Sequence, residues 1–381
     1  MNMGDNHLKY VCFYDCFENY KENRNYFLSA TNKVDYIISS LVKNGYKVKI
    51  VSPSWTNNKF VRYKGKKHKI SENVMLQTFF TIDFGKAKGI KQFVSLIQLF
   101  VYLLKNTKKD EPIIVYHSIA LILPIILAKK IKKFSLILEV EEIYNHAVQL
   151  SVYKKKLEDY IFTLADKFIF STTYLNETIN DSKPYVVVNG VYKKEEKIVH
   201  KKDDEKINVV YSGTFDLNKG GALSAIHAAK FLTDIYCLHI LGFGSDDEIK
   251  EITTEINNIQ DNSEATIKFV GLLRGKEYIE YLQSCDIGLS TQYNNARFND
   301  TSFPSKILTY MANGLSVVSS RIKTVEESSV GKYLYYYDNN DPEEIAQTIM
   351  SVDLNSKLNT QEILDYLDNE FTQNIFKLLN Q

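Results

Sequence analysis

The chain has 381 residues, 44% of them hydrophobic and 24% charged, which excludes a disordered protein and allows two domains with separate cores. The net charge of +1 conceals an asymmetry: residues 1–200 carry 31 Lys and Arg against 19 Asp and Glu, the remainder 16 against 27. A basic half and an acidic half predict different partners for each, and without a recognition motif nucleic acid is not expected to be one of them.

In chain order, strands and helices alternate. "YVCFYD" predicts a strand, "NKVDYIISSLVKNG" a helix ended by Gly45, and "YKVKIVSP" a second strand. The window 51–100 is the most basic, with nine Lys and Arg against two acids. It predicts a solvated surface, or one drawn to an anionic membrane or to a phosphate-bearing substrate. "IKQFVSLIQLFVYLLKN" predicts a strongly apolar helix flanked by Lys. "PIIVYHS" and "FSLILEVEE" lack polar alternation, as strands buried on both faces of a parallel sheet do. The run 113–128 is too short to span a bilayer and contains His117 and Pro124, so it predicts a buried strand, a turn and a helix. "LEDYIFTLADKFIFSTTYLNETI" predicts helix, strand and helix, and "PYVVVNGVY" a strand ending in an Asn-Gly turn.

The charged stretch 193–206 is the expected linker, which makes residues 1–192 an N-terminal domain and 207–360 a second one. Alternation resumes with "INVVYSG", "GALSAIHAAKFL", "YCLHILGFG", "DDEIKEITTEINNI", "TIKFVG", "KEYIEYLQSC", "DIGLST", "SKILTYMANG", "LSVVSS" and "LYYYD". Two consecutive series of about six βα units predict an α/β protein of two doubly wound, Rossmann-like domains facing a cleft. Four cysteines, Cys12, Cys16, Cys237 and Cys285, fit neither a disulfide framework nor a zinc pattern. No leader is apparent at Met1, so the cytoplasm is the expected compartment.

Chemistry is expected in the loops that follow strands of the second half. In "YSGTFDLNKGG", Gly213, Gly220 and Gly221 allow close backbone approach to a ligand, and Lys219 stands where phosphate can pair with it. "LGFGSDDE" repeats the device around Gly242, and "FVGLLRG" places Gly271, Leu272 and Arg274 after a third strand. "TSFPSKIL" supplies a fourth loop, with Ser305 expected to cap a helix and Lys306 in its first turn. A Lys at that place opposes the helix dipole, and an anionic ligand would offset the cost.

Here the chain resembles the GT-B-fold glycosyltransferases of the large retaining group called glycosyltransferase family four. The residues that carry the resemblance are "VVYSGTFDLNKGG", "LHILGFG", "IKFVGLLRGKEYIEYLQSCDIGLS" and "FPSKILTYMANGLSVVSS", with "LILEVEEIY", "LADKFIFSTTYL" and "YVVVNGVY" in the first half. Together they cover roughly residues 8–350. The resemblance implies a hexosyltransferase that binds a nucleotide-sugar donor on the C-terminal domain and a glycan acceptor on the N-terminal one. It further implies that a last helix, 361–381, crosses back to the first domain, and that no metal or other cofactor is needed. The expected setting is bacterial surface polysaccharide or capsule synthesis on a lipid-linked acceptor, at the inner face of the membrane.

The chain departs from the family in three places. The family's two Glu, eight positions apart, fall at Thr301 and Thr309. A hydroxyl in place of the ribose-binding carboxylate exchanges a charged hydrogen bond of about 1.5–3 kcal/mol for a neutral one of about 0.5–1.5. Thr214 stands where many relatives have Arg, which leaves Lys219 and Lys306 as the diphosphate cations. The segment after the first strand, containing Arg24 and Asn25, lacks the family's Gly-rich turn and is expected to shape the acceptor pocket. Donor contacts are accordingly expected from Gly213, Thr214, Lys219, Gly242, Gly271, Leu272 and Arg274, and from Thr301, Ser302, Phe303, Pro304, Ser305, Lys306 and Thr309. Glu141, with Lys219 and Lys306, is the expected catalytic group, and Glu139 and His117 join the acceptor side. Loss of both Glu also fits an inactive subunit that supports a partner transferase. A sugar-nucleotide epimerase fits less well, and without G-x-G-x-x-G a dinucleotide-dependent oxidoreductase is not expected.

Overall fold

The computed structural model describes residues 7–16, 21–26, 28–83, 85, 88–147, 149–179, 182–198, 206–293, 302–355 and 359–381. The chain forms two compact units, residues 1–191 with 370–381, and residues 192–369.

Unit 1 is built on one sheet. Its strands are β1 (His7–Val11), β2 (Lys47–Ser52), β4 (Lys67–Lys69), β5 (Val74–Thr78), β7 (Pro112–Tyr116), β8 (Ser135–Val140), β9 (Lys167–Phe170) and β10 (Tyr185–Val187). Their spatial order is β10-β9-β8-β7-β1-β2-β5-β4, all parallel except the pairing of β4 with β5. A small antiparallel pair, β3 (Arg62–Tyr63) with β6 (Thr81–Ile82), stands beside it. The order reverses between β1 and β7, as in doubly wound sheets. The helices are α1 (Leu28–Lys43), α2 (Lys88–Asn106), α3 (Ile119–Lys132), α4 (Tyr144–Ala147), α5 (Val152–Leu164) and α6 (Thr173–Ile179). The second half of a long last helix, α13 (Thr360–Asn380), belongs to this unit too. Its Phe371 ring stacks on Tyr36 of α1 at 5.5 Å, and Lys167 Nζ donates to the Leu378 carbonyl at 2.7 Å.

Unit 2 repeats the plan. Its strands are β11 (Ile207–Thr214), β12 (Tyr236–Phe243), β13 (Thr266–Gly271), β14 (Ile287–Ser290), β15 (Ser316–Ser320) and β16 (Tyr335–Tyr337). They lie in the order β13-β12-β11-β14-β15-β16, every neighbour parallel. Helices α7 (Gly221–Ala229), α8 (Asp246–Gln260), α9 (Gly275–Gln283), α10 (Lys306–Ala312), α11 (Lys323–Glu326) and α12 (Pro342–Met350) connect them. The start of α8 is set by a capping box, Ser245 accepting from the Glu248 N–H while Glu248 accepts from the Ser245 N–H. Strand order reverses between β11 and β14, where ligands of such sheets bind at the carboxyl ends. Among the described residues no helix is long and apolar enough to cross a membrane.

Among the elements the sequence did not disclose are β3 to β6, inside the basic window. Their two to five residues give too short a run to show a period. The first strand also ends earlier than "YVCFYD" suggests, so Cys12 and Cys16 both follow it. Of the expected linker, residues 199–205 lie outside the described residues.

Candidate functional site

The site of unit 2 is built where β11 and β14 part. Tyr310 of α10 is fully buried and bridges the gap. Its hydroxyl accepts the Ser212 N–H at 2.8 Å and donates to the Leu289 carbonyl at 3.2 Å. A Cβ on Gly288 would stand 2.3 Å from the Tyr310 ring, so β14 needs a glycine there to admit it. This one tyrosine pins α10 across the switch point. A one-turn step back along the helix then brings Lys306 above the end of β11.

Lys306 Nζ lies 4.1 Å from the centroid of the Tyr211 ring and 2.9 Å from the point a Gly213 Cβ would occupy. The glycine is therefore what leaves room for the ammonium. Among the described residues no carboxylate pairs with Lys306. Burial, and to a lesser degree the neighbouring Lys219 charge, lowers its pKa to about 7. Lys306 is half-buried, because Tyr211 and the Gly213 turn enclose its stem. Lys219 is exposed at the end of a turn in which Asp216 accepts the Asn218 N–H at 2.9 Å. The turn is held to the β14 side by the Tyr293 N–H, which donates to the Lys219 carbonyl at 3.2 Å. Thr291 Oγ1 donates to the Gly221 carbonyl at 2.7 Å.

The remaining expected donor residues surround this point unequally. Gly242 has φ +149, and a Cβ there would stand 1.8 Å from the Gly213 carbonyl oxygen, so the pair of glycines ends β11 and β12 in close backbone contact. Thr214 is exposed at the end of β11. Gly271 has φ +75 at the end of β13, and Leu272 and Arg274 are exposed beyond it. Ser302, Phe303 and Pro304 are half-buried ahead of α10. Ser305 occupies the expected cap position, but its backbone is already helical and its side chain makes no cap bond. Thr309 Oγ1 donates back to the Ser305 carbonyl at 3.3 Å, the ordinary bond of a helical threonine. Thr301 lies outside the described residues. Sequence reasoning missed Tyr211, Tyr310 and the Ser212–Tyr278 hydroxyl pair at 2.9 Å. The signal available was a tyrosine in each of two apolar segments, since a buried phenol needs a partner.

In unit 1 the acidic strand end is a buried cluster. The Tyr10 hydroxyl donates to Glu139, which is fully buried, and burial together with the Glu141 charge raises its carboxyl. Glu141 lies 2.6 Å from Lys33 Nζ of α1. Alternation does put both acids on one side, but Glu139 faces inward and has no surface to offer an acceptor. His117 is buried between the Tyr144 and Phe162 rings, at 5.2 and 5.1 Å, and burial lowers its pKa to about 4. It packs as a neutral ring, 3.5 Å from the buried Glu158 carboxyl, and has almost no surface to offer an acceptor. Arg24 is corrected in the same way: its guanidinium is buried, bonded to Glu22 at 2.7 Å and to the carbonyls of Ser54 and Phe79. It fastens the segment to the sheet. Asn25 is half-buried, its N–H donating to the Trp55 carbonyl at 2.8 Å. Among the described residues no three His, Cys, Asp or Glu side chains gather to hold a metal ion.

Residues 206–352, nearly all of unit 2, match the family model described as Glycosyl transferases group 1. No curated protein sequence matches the chain. A glycosyltransferase from Rickettsia africae ESF-5 superposes with a TM-score of 0.65 at 12% identity, over 98% of this chain and 99% of that one. The α,α-trehalose 6-phosphate synthase of Burkholderia multivorans gives 0.63 at 10% identity over 99% and 97%. Anabaena HepE, solved with UDP, gives 0.63 at 12% identity over 98% and 99%. These likenesses show the GT-B fold. The family match marks unit 2 as a glycosyltransferase domain.

Proposed function

We propose that the protein transfers a sugar from a nucleotide-sugar donor, held on unit 2 at the ends of β11 and β14, to a glycan acceptor. The observation that carries this reading is Lys306 in the space that Gly213 leaves open, with Lys219 near enough for its charge to act on it, inside the segment that matches the family. Two cations there can hold a diphosphate and stabilise it as the leaving group, which is the main electrostatic task of the reaction. Lys306, lowered to about 7, takes up its full charge as the dianion arrives. The reading assigns the leaving-group charge to these two side chains and calls for no divalent ion. HepE has been solved with UDP and glucose, which makes uridine nucleotides the first probes to try. The finer assignments are also proposals: transfer with retention, a lipid-linked acceptor in surface polysaccharide synthesis, a cytoplasmic setting, and Glu141 as a catalytic group.

A second reading is favoured by the Thr309 hydroxyl, which turns back to its own helix where the family has a carboxylate. In that reading the protein binds nucleotide or glycan and supports a partner transferase. Release of nucleoside diphosphate from a panel of nucleotide-sugars, with and without glycan acceptors, separates the two. Acceptor-dependent release supports transfer. Binding without release under any acceptor supports the subunit reading.

A further inference from the structure

Unit 1 carries an apolar surface that its own core does not use. On α2, Ile90, Phe93, Ile97 and Val101 are all exposed, Phe93 by 65%. At 3.6 residues per turn they fall within an arc of about 80°. The core side of the same helix is served by other residues, Leu99 and Leu103, both fully buried. Helix α3 packs against α2 and continues the surface with Leu123, Leu127 and Ile131, the last 61% exposed. Helix α5 packs against α3 and adds Tyr153, 63% exposed. Scattered exposed hydrophobics need no explanation, but an apolar stripe repeated on adjoining helices marks a contact surface.

The exposed charges on these three helices are predominantly basic. Neither α2 nor α3 contains an acidic residue. Lys105, Lys130 and Lys156 are exposed on the three helices, and the Lys130 ammonium sits 4.8 Å over the Tyr160 ring. Of the two acids on α5, Glu158 is buried and accepts the N–H groups of Tyr144 and Asn145, which leaves Asp159 exposed. We propose that the face formed by α2, α3 and α5 docks on an anionic lipid bilayer. The apolar side chains enter the boundary between head groups and acyl chains, and the lysines meet lipid phosphates. A second copy of this face would set lysine against lysine, so the charge favours lipid over self-association. The proposal deepens the lipid-linked acceptor reading and rests on it only for why such docking would be useful. It also alters the expectation drawn from the basic window: attachment has an apolar part that salt does not screen.

The test is co-sedimentation of the full chain, without nucleotide, on vesicles of phosphatidylcholine alone and of phosphatidylcholine with phosphatidylglycerol. The expected result is binding to the anionic vesicles that weakens severalfold in high salt without vanishing. Phe93→Asp with Leu127→Asp should cut it at least tenfold, and Lys105→Glu with Lys130→Glu should remove its salt-dependent part. Circular dichroism checks that the variants fold, and nucleotide affinity, measured in parallel, should not change. That last control keeps failure of the surface distinct from failure of the donor site. Two results would overturn the proposal: equal binding by wild type and folded Phe93→Asp/Leu127→Asp protein, or no binding to anionic vesicles. A wild-type dimer that this variant splits, with no vesicle binding, would assign the face to self-association.

Discussion

The Lys306 ammonium stands over the Tyr211 ring, 4.1 Å from its centroid, in the space that Gly213 leaves open. Gly213 and Gly242, which meet across β11 and β12, make separate predictions. Ala at 213 would meet only the movable end of Lys306, at 2.9 Å, and the Tyr211 hydroxyl at 3.1 Å. Gly213→Ala should therefore fold with a loss of no more than about 1 kcal/mol yet bind nucleoside diphosphate more weakly, because the ammonium is displaced. Gly242→Ala meets a backbone oxygen at 1.8 Å in a positive-φ conformation and should lose about 1–3 kcal/mol or more of stability. Chemical denaturation and calorimetric titration of the two variants distinguish the cases.

Proton linkage at Lys306 has a defined sign. Its folded pKa of about 7 lies below the ordinary lysine value of 10.5, so between those values the native state binds fewer protons than the unfolded chain. Its contribution to stability thus rises with pH from about 7 toward 10.5. Replacing Lys306 with Met should remove that rise, read as the difference between the two proteins' melting temperatures across pH 7 to 9. Diphosphate binding at pH 8 should draw in a proton. Titration heats should then depend on the ionisation enthalpy of the buffer, and the dependence should fade below pH 6.

Glu139 makes the opposite case. Its carboxyl is raised by burial and by Glu141, so its contribution is complete below the ordinary carboxylate value and is lost as pH rises through the raised one. Glu139→Gln keeps an acceptor for the Tyr10 hydroxyl and should be neutral or stabilising above neutral pH. Glu139→Ala strands that buried hydroxyl and should cost about 1–3 kcal/mol. Urea denaturation of both variants over a pH series is the check.

Tyr310→Phe should damage the site without touching a ligand. It leaves the Ser212 N–H without its partner across the parting strands, at a cost of about 1–3 kcal/mol. Diphosphate affinity should fall as α10 loosens, while Thr309→Val, which removes only a bond back to the helix, should leave stability nearly unchanged.

Much of this was legible in the sequence because parallel strands buried on both faces write continuous apolar runs, as β7, β8 and β11 do, and because glycines mark the turns after them. The four loops of unit 2 were found in this way. Side-chain partners across the fold were not legible. That Arg24 would be consumed by Glu22 and two carbonyls, or that Glu139 would meet Tyr10 from a strand 129 residues away, depends on tertiary packing that no local period encodes. The exposed stripe of α2 was hidden for a related reason: its apolar residues run almost all round the helix, and only the packed structure separates the side that buries Leu99 from the side that exposes Phe93.

The central claim is that Lys219 and Lys306 together hold the donor diphosphate, and calorimetric titration of nucleoside diphosphates, UDP first, into wild type and the Lys219→Ala/Lys306→Ala variant tests it most directly. Each charge-assisted bond contributes about 1.5–3 kcal/mol, so the account predicts that the folded double variant loses affinity by about a hundredfold or more. Undiminished binding by that variant would contradict it.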